Sequence, residues 1–145
     1  MKTELNVVEL GIITADLYGR APWNTCFVQF PNDKIFGELC NTIQRIDLSN
    51  VRRIVLNIKY HVCFPYLRKL SSITAEERQE LDEISYGRYL NEKIYDDPQG
   101  YGVPINELYS VFDWLNKHCF DYRGLIEMGL AIEAPEGMYN FNKQN

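Results

Sequence analysis

Apolar and polar positions divide the chain into short elements. Leu5 to Thr14 is rich in β-branched residues and reads as a strand. Ala21-Pro22-Trp23-Asn24 breaks the pattern, and a second short strand is expected over Thr25 to Phe30. Pro31 ends it and Asn32-Asp33 offers an N-cap. Beyond that point Phe36, Leu39, Cys40, Ile43 and Ile46 recur at the spacing of an amphipathic helix, with Leu48-Ser49-Asn50 as the turn out of it. Arg53 to Cys63 gives the clearest strand pattern. Ile54, Leu56, Ile58, Tyr60 and Val62 alternate onto one side, with mostly polar residues on the other, as in an antiparallel sheet solvated on one face. Pro65 closes that strand.

Helices dominate the second half of the chain. Thr74-Ala75-Glu76-Glu77 is a capping box, and the helix it opens is expected to run to about Leu90. Asp97-Pro98-Gln99-Gly100-Tyr101-Gly102 is a loop by its turn chemistry, and Pro104 suits the first turn of another helix. The apolar stripe of that helix is Ile105, Leu108, Tyr109, Phe112, Leu115 and Cys119, widened by Val111 and Trp114, so it is expected to be the most buried helix. Leu130 to Glu133 and Met138 to Phe141 read as two short strands around Pro135-Glu136-Gly137, and the polar tail 142–145 is expected to fray. The order β-β-α-β-α-α-β(-β) has strands early and helices late. That argues for an α+β fold, a single domain over 1–145 with a mostly antiparallel sheet of about four strands packed against three helices.

The 145 residues, 46% of them apolar, suffice for one ordinary core and exclude a disordered chain. No apolar run exceeds three residues, so neither a membrane-spanning helix nor a signal-peptide core is expected, and a cytoplasmic protein is the natural reading. The four cysteines (Cys26, Cys40, Cys63 and Cys119) form no C-x-x-C pair and mostly sit among apolar residues, so they are expected to be reduced and structural.

Charge changes the picture more than the total of −5 does. Residues 45–69 carry Arg45, Arg52, Arg53, Lys59, Arg68 and Lys69 against Asp47 alone, whereas residues 76–97 carry eight acids against three bases. Five of the ten tyrosines (Tyr86, Tyr89, Tyr95, Tyr101 and Tyr109) lie in or just after that acidic stretch, Tyr109 being assigned to the core stripe. Tyrosine supplies rigid contact area with a polar tip, and carboxylates complement a basic surface. The expected partner-binding residues are therefore Asp82, Glu83, Tyr86, Tyr89, Asp96, Asp97 and Tyr101.

Chemistry is sparse. His61-Val62-Cys63 and His118-Cys119 bring an imidazole near a thiol, but no spacing signature for zinc or for a nucleophile accompanies them. Glu76, Glu80 and Glu83 share one polar helix face without apolar neighbours to raise a pKa, and no phosphate-binding or nucleophile-elbow motif is present. No cofactor, no metal and no enzymatic activity are expected. In size, acidity and aromatic layout the chain resembles the immunity proteins that bacteria pair with nuclease toxins. That resemblance implies an antitoxin-type inhibitor masking the active site of a basic partner protein. Two alternatives remain. One is a regulatory protein that binds single-stranded nucleic acid on the basic 45–69 strand, with Tyr60, Phe64 and Tyr66 interleaved, or that docks as a winged helix, although a pI near 5 opposes phosphate contacts. The other is a small Cys-His enzyme.

Overall fold

A computed structural model describes residues 5–35, 38–58, 64–85 and 105–139. Its elements in chain order are α1 (Val7–Arg20), β1 (Phe27–Ile35), β2 (Glu38–Arg45), α2 (Val51–Ile58), β3 (Phe64–Leu67), α3 (Ala75–Ser85), α4 (Ile105–Lys117) and β4 (Ile132–Glu133). The strands form one sheet in the order β2-β1-β3-β4. The β1–β2 and β1–β3 pairs are antiparallel and β3–β4 is parallel, so the fold is α+β with a mixed, mostly antiparallel sheet.

Three expected elements change type. The strand expected over Leu5–Thr14 is helix α1. Asn6 caps it, its side chain accepting from the Glu9 N–H at 2.8 Å while Glu9 Oε1 accepts from the Asn6 N–H at 3.2 Å. The helix expected around Phe36–Ile46 is the strand β2. There the long β1–β2 pairing outweighs helical spacing, and Phe27↔Arg45 and Ile35↔Glu38 mark its two ends. The register slips between Phe30 and Asp33, which places the extra residue of a bulge beside Pro31, whose missing N–H would otherwise interrupt the ladder. The strand expected over Arg53–Cys63 is instead α2 as far as Ile58. A reciprocal turn feeds it: the Asp47 side chain accepts from the Asn50 N–H at 2.9 Å and the Asn50 side chain from the Asp47 N–H at 3.0 Å. Val51 and Ile54 then face the core.

Pro31 does not end the second expected element, since β1 runs from Phe27 past it to Ile35, and of the strand expected over Leu130–Glu133 only Ile132–Glu133 forms. The helices at Ala75 and Ile105 begin as read, and Pro65 lies inside the buried strand β3 instead of ending one. Met138 and Tyr139 are not in a strand, so among the described residues no two-stranded wing follows β4, and the stretch from Asp121 to Met128, where a winged helix would carry its recognition helix, forms a turn. Residues 140–145 lie outside the described residues.

One core joins Ile13 and Leu17 of α1, Val28 of β1, Val51 and Ile54 of α2, and Leu67 of β3 to Leu125 and Leu130. A second cluster joins Leu81 of α3 to Val111, Trp114 and Leu115 of α4 and to Phe120. The chain links the two through the turn after α4. Cys119 takes a left-handed conformation (φ 63°), with Phe120 N–H on Leu115 O at 3.0 Å and Cys119 N–H on Asn116 O at 3.2 Å. That reversal delivers the Cys119 sulfur to Cys26, and the two form a disulfide across 93 residues with Cα atoms 5.6 Å apart. This corrects the expectation that these two thiols are reduced. Nothing in the local sequence marks partners so far apart.

At the same place α1 contributes a buried ion pair. Arg20 Nε donates to Asp16 Oδ2 at 2.8 Å, and Arg20 Nη2 donates to Asp16 Oδ1 at 3.0 Å and to Phe120 O at 2.8 Å. Arg123 Nε reaches Asp16 Oδ1 at 3.3 Å, and the Arg20 guanidinium lies over the Tyr122 ring, 5.4 Å from its centroid. Arg20 Nη1 is buried without a hydrogen-bond partner among the described residues.

Removing one member of such a pair strands the other charge, so Asp16→Asn is expected to cost about 3–5 kcal/mol in urea unfolding. The double variant Asp16→Leu/Arg20→Met should lose far less than the two singles summed, because no lone charge is left inside. Additive losses would show that the pair is not coupled. Replacing Cys26 and Cys119 by serine should cost about 4–5 kcal/mol, the scale for closing a loop of this length, and reducing agent should lower the Tm of the wild type but not of the variant.

Candidate protein-docking surface

Helix α3 carries the acidic residues on two sides that behave differently. On the inner side the capping box forms as read. The Glu77 N–H donates to Thr74 Oγ1 and the Thr74 N–H to Glu77 Oε1, each at 3.1 Å. Glu77 is buried, and Arg68 clamps it with two bonds of 2.7 Å. The same guanidinium covers the Phe120 ring at 4.1 Å from its centroid. Burial by itself would raise the Glu77 pKa. The hydrogen bonds from Arg68 and Thr74 and the Arg68 charge outweigh it and hold the carboxyl below its ordinary value.

On the outer side Glu76, Glu80 and Glu83 stand at offsets of 4 and 7 and are exposed. Asp82 lies on another flank of the helix, half-buried. Among the described residues, the side chains of Glu76, Asp82 and Glu83 make no hydrogen bond or ion pair. Glu80 is anchored more loosely at the α4 boundary, where Trp114 Nε1 donates to its Oε2 at 3.3 Å and His118 Nε2 stands 3.6 Å from the same oxygen. The His118 ring stacks on Trp114 with centroids 4.1 Å apart, and its Nδ1 is 2.9 Å from Trp114 O. A carbonyl only accepts, so that nitrogen carries the proton. Burial, joined by the Lys117 charge, lowers the His118 pKa more than the Trp114 carbonyl, Glu77 and Glu80 raise it.

Of the seven residues expected to bind a partner, the structure places Asp82 and Glu83 next to each other on this helix. Tyr86, Tyr89, Asp96, Asp97 and Tyr101 lie outside the described residues. Tyr109, assigned to the core from its spacing, is 67% exposed on α4, whereas Val111, Trp114 and Leu115 of the same expected stripe are turned inward. Sequence reasoning missed Arg68, Trp114 and His118 as partners of the carboxylates. They come from other elements, and no spacing connects them. The capping box was the one available sign that Glu77 differs from its neighbours.

The basic stretch is divided among several elements, and its Lys59 and Tyr60 lie outside the described residues. Arg68 is used up on Glu77, Lys69 stands 3.5 Å from Glu133, and Arg53 donates to Gln44 at 2.8 Å. Arg52 and Arg53 are exposed on a helix and not on a strand, and Phe64 and Tyr66 are buried where base stacking would need open rings. Of the Cys-His pairs, Cys119 is in the disulfide and His118 is buried, while His61 and Cys63 lie outside the described residues. Among the described residues no group of three or more His, Cys, Asp or Glu side chains is placed to hold a metal ion, and no helix is long and apolar enough to cross a membrane.

Acid should act on this region in two windows. His118, with its pKa lowered in the folded state, takes up a proton more readily when unfolded, so stability falls as pH drops below about 6.5. Glu77 contributes above its unfolded value of about 4.3 and loses that contribution as pH falls through its lower folded value. Thermal unfolding across pH should show the upper step vanish in His118→Gln, while Glu77→Gln should cost about 1.5–3 kcal/mol at neutral pH and flatten the lower one. An upper step unchanged by His118→Gln would assign it elsewhere. Comparison of the chain with family models, with curated proteins and with solved structures gives no match in any of the three.

Proposed function

We propose that the protein is a non-enzymatic binding module of the immunity type, which neutralises a basic partner such as a nuclease toxin by laying the outer side of α3 over its phosphate-binding surface. The observation that carries this reading is the division of labour among the α3 carboxylates. Glu77 is consumed internally by Arg68, while Glu76 and Glu83 are exposed, with no base paired to them among the described residues. Carboxylates left uncompensated on a rigid helix mimic substrate phosphates at low ordering cost. Tyr109 and Asp113, exposed on the neighbouring α4, extend the same kind of surface with a large amphipathic ring. Asp96, Asp97 and the tyrosines of 86–101 belong to this proposal by sequence.

The test is charge reversal. Glu76→Lys/Glu83→Lys, and separately Asp96→Lys/Asp97→Lys, should abolish salt-sensitive capture of a basic protein from the native cell and leave the Tm within about 1 °C, since exposed substitutions change stability little. The captured protein should cleave nucleic acid, and the wild-type chain should suppress that cleavage. Capture that survives both reversals overturns the reading. Tight binding of single-stranded RNA, lost when Arg52 and Arg53 are neutralised, would replace it.

A further inference from the structure

The seam between β1 and β3 is short, and a side chain completes it. Its register of Gln29↔Phe64 and Val28↔Pro65 would next set Phe27 opposite Tyr66, yet strand pairing stops before them. Pro65 brings no N–H to the seam. In place of the next rung stands the Tyr139 phenol, whose oxygen accepts from the Phe27 N–H at 2.7 Å and donates to Tyr66 O at 2.9 Å. One hydroxyl thus spans a donor and an acceptor that adjacent antiparallel strands would ordinarily pair directly. The Tyr139 ring stacks on Phe27, with centroids 5.6 Å apart, and packs against the sheet core. Burial pushes the phenol pKa up to about 12, against the lowering effect of the Phe27 N–H and of the charges of Arg20, Arg45 and Arg68. The oxygen therefore keeps its proton for Tyr66 at any ordinary pH.

The segment that delivers this phenol lies on the surface. After β4 the Ala134 N–H donates to Leu67 O at 2.8 Å, and a turn closed by the Met138 N–H on Pro135 O at 3.1 Å leads the chain back to the seam. Gly137 makes that turn in the left-handed region, at φ 84°, and residues 135–137 are exposed. No residue from Ala134 to Tyr139 belongs to a helix or strand. We propose that residues 134–139 form a latch that docks and undocks as one unit, with the Tyr139 hydroxyl as the piece that locks β1 to β3. Open, it leaves the Phe27 N–H and the Tyr66 carbonyl unpaired and frees the start of β1 from β3. A segment held at its two ends and exposed between them opens more readily than the core beneath it. The unpaired donor and acceptor it leaves behind favour its return. The latch involves none of the α3 carboxylates and does not depend on docking there.

Hydrogen exchange of the full chain separates latch from core. The Phe27 and Ala134 amides should exchange through one common opening, faster than those of Ile54 and Phe120, which bond to Asn50 O and Leu115 O. Tyr139→Phe removes the hydroxyl and keeps the ring. It should speed both latch amides roughly tenfold or more and move the Ile54 and Phe120 amides by less than about twofold. Ala134 decides the matter, because the substitution leaves its own bond to Leu67 untouched. Gly137→Ala keeps the phenol and has open space for its methyl group, but it strains the left-handed turn, so it should speed the same two amides about tenfold. Acceleration confined to Phe27 in Tyr139→Phe, an unchanged Phe27 in Gly137→Ala, or equal acceleration at all four amides overturns the proposal.

Discussion

The Asp16–Arg20 pair is the interaction on which the arrangement of the rest depends. Two charges at zero exposure are tolerable only because each finds several partners, and those partners come from distant parts of the chain. Arg20 holds the Phe120 carbonyl and lies over Tyr122, while Asp16 also receives Arg123. The C-terminal end of α1 is thereby tied to the turn after α4. The disulfide between Cys26 and Cys119 ties the start of β1 to the same turn. Buried charge and covalent link together fix the junction where the sheet core meets the α3–α4 cluster.

A second charged junction repeats the device nearer the surface. Arg68, just after β3, grips Glu77 of α3 and stacks on Phe120, so the residue whose carbonyl accepts from Arg20 also supports Arg68 with its ring. Phe120 thus stands between two guanidinium groups. The consequence for the surface is direct. Inner carboxylates and inner arginines cancel one another, and the charges left exposed on the described helices include the outer glutamates and Arg78 of α3, Asp113 and Lys117 of α4 and the arginines of α2.

Legibility in the sequence tracked the physics of each element. The helices at Ala75 and Ile105 were readable because a capping box and a proline mark their starts and their inner faces are apolar. Helix α1 was misread because its inner face holds Glu9, Asp16 and Arg20, which erases the hydrophobic period. The Asn6–Glu9 capping box was the sign that should have prevailed over β-branched composition. The segment at 53–58 failed for a related reason. Ile54 and Leu56 look like alternate strand positions, yet on a helix one is buried and the other exposed. Of the candidate docking surface, the alignment of Glu76, Glu80 and Glu83 was visible, whereas the exposure of Tyr109 was not, since only the packing of α4 sets that helix's rotation.

By itself the sequence determined the fold class, the two late helices, the separation of basic from acidic stretches and the local caps, all of which depend on residues within a few positions of one another. Tertiary structure alone decided which charges are spent inside the molecule. Asp16 with Arg123, Glu77 with Arg68 and Cys26 with Cys119 are pairs whose members are apart in sequence. Their energy exists only once the chain has closed the intervening loops and excluded water from between them.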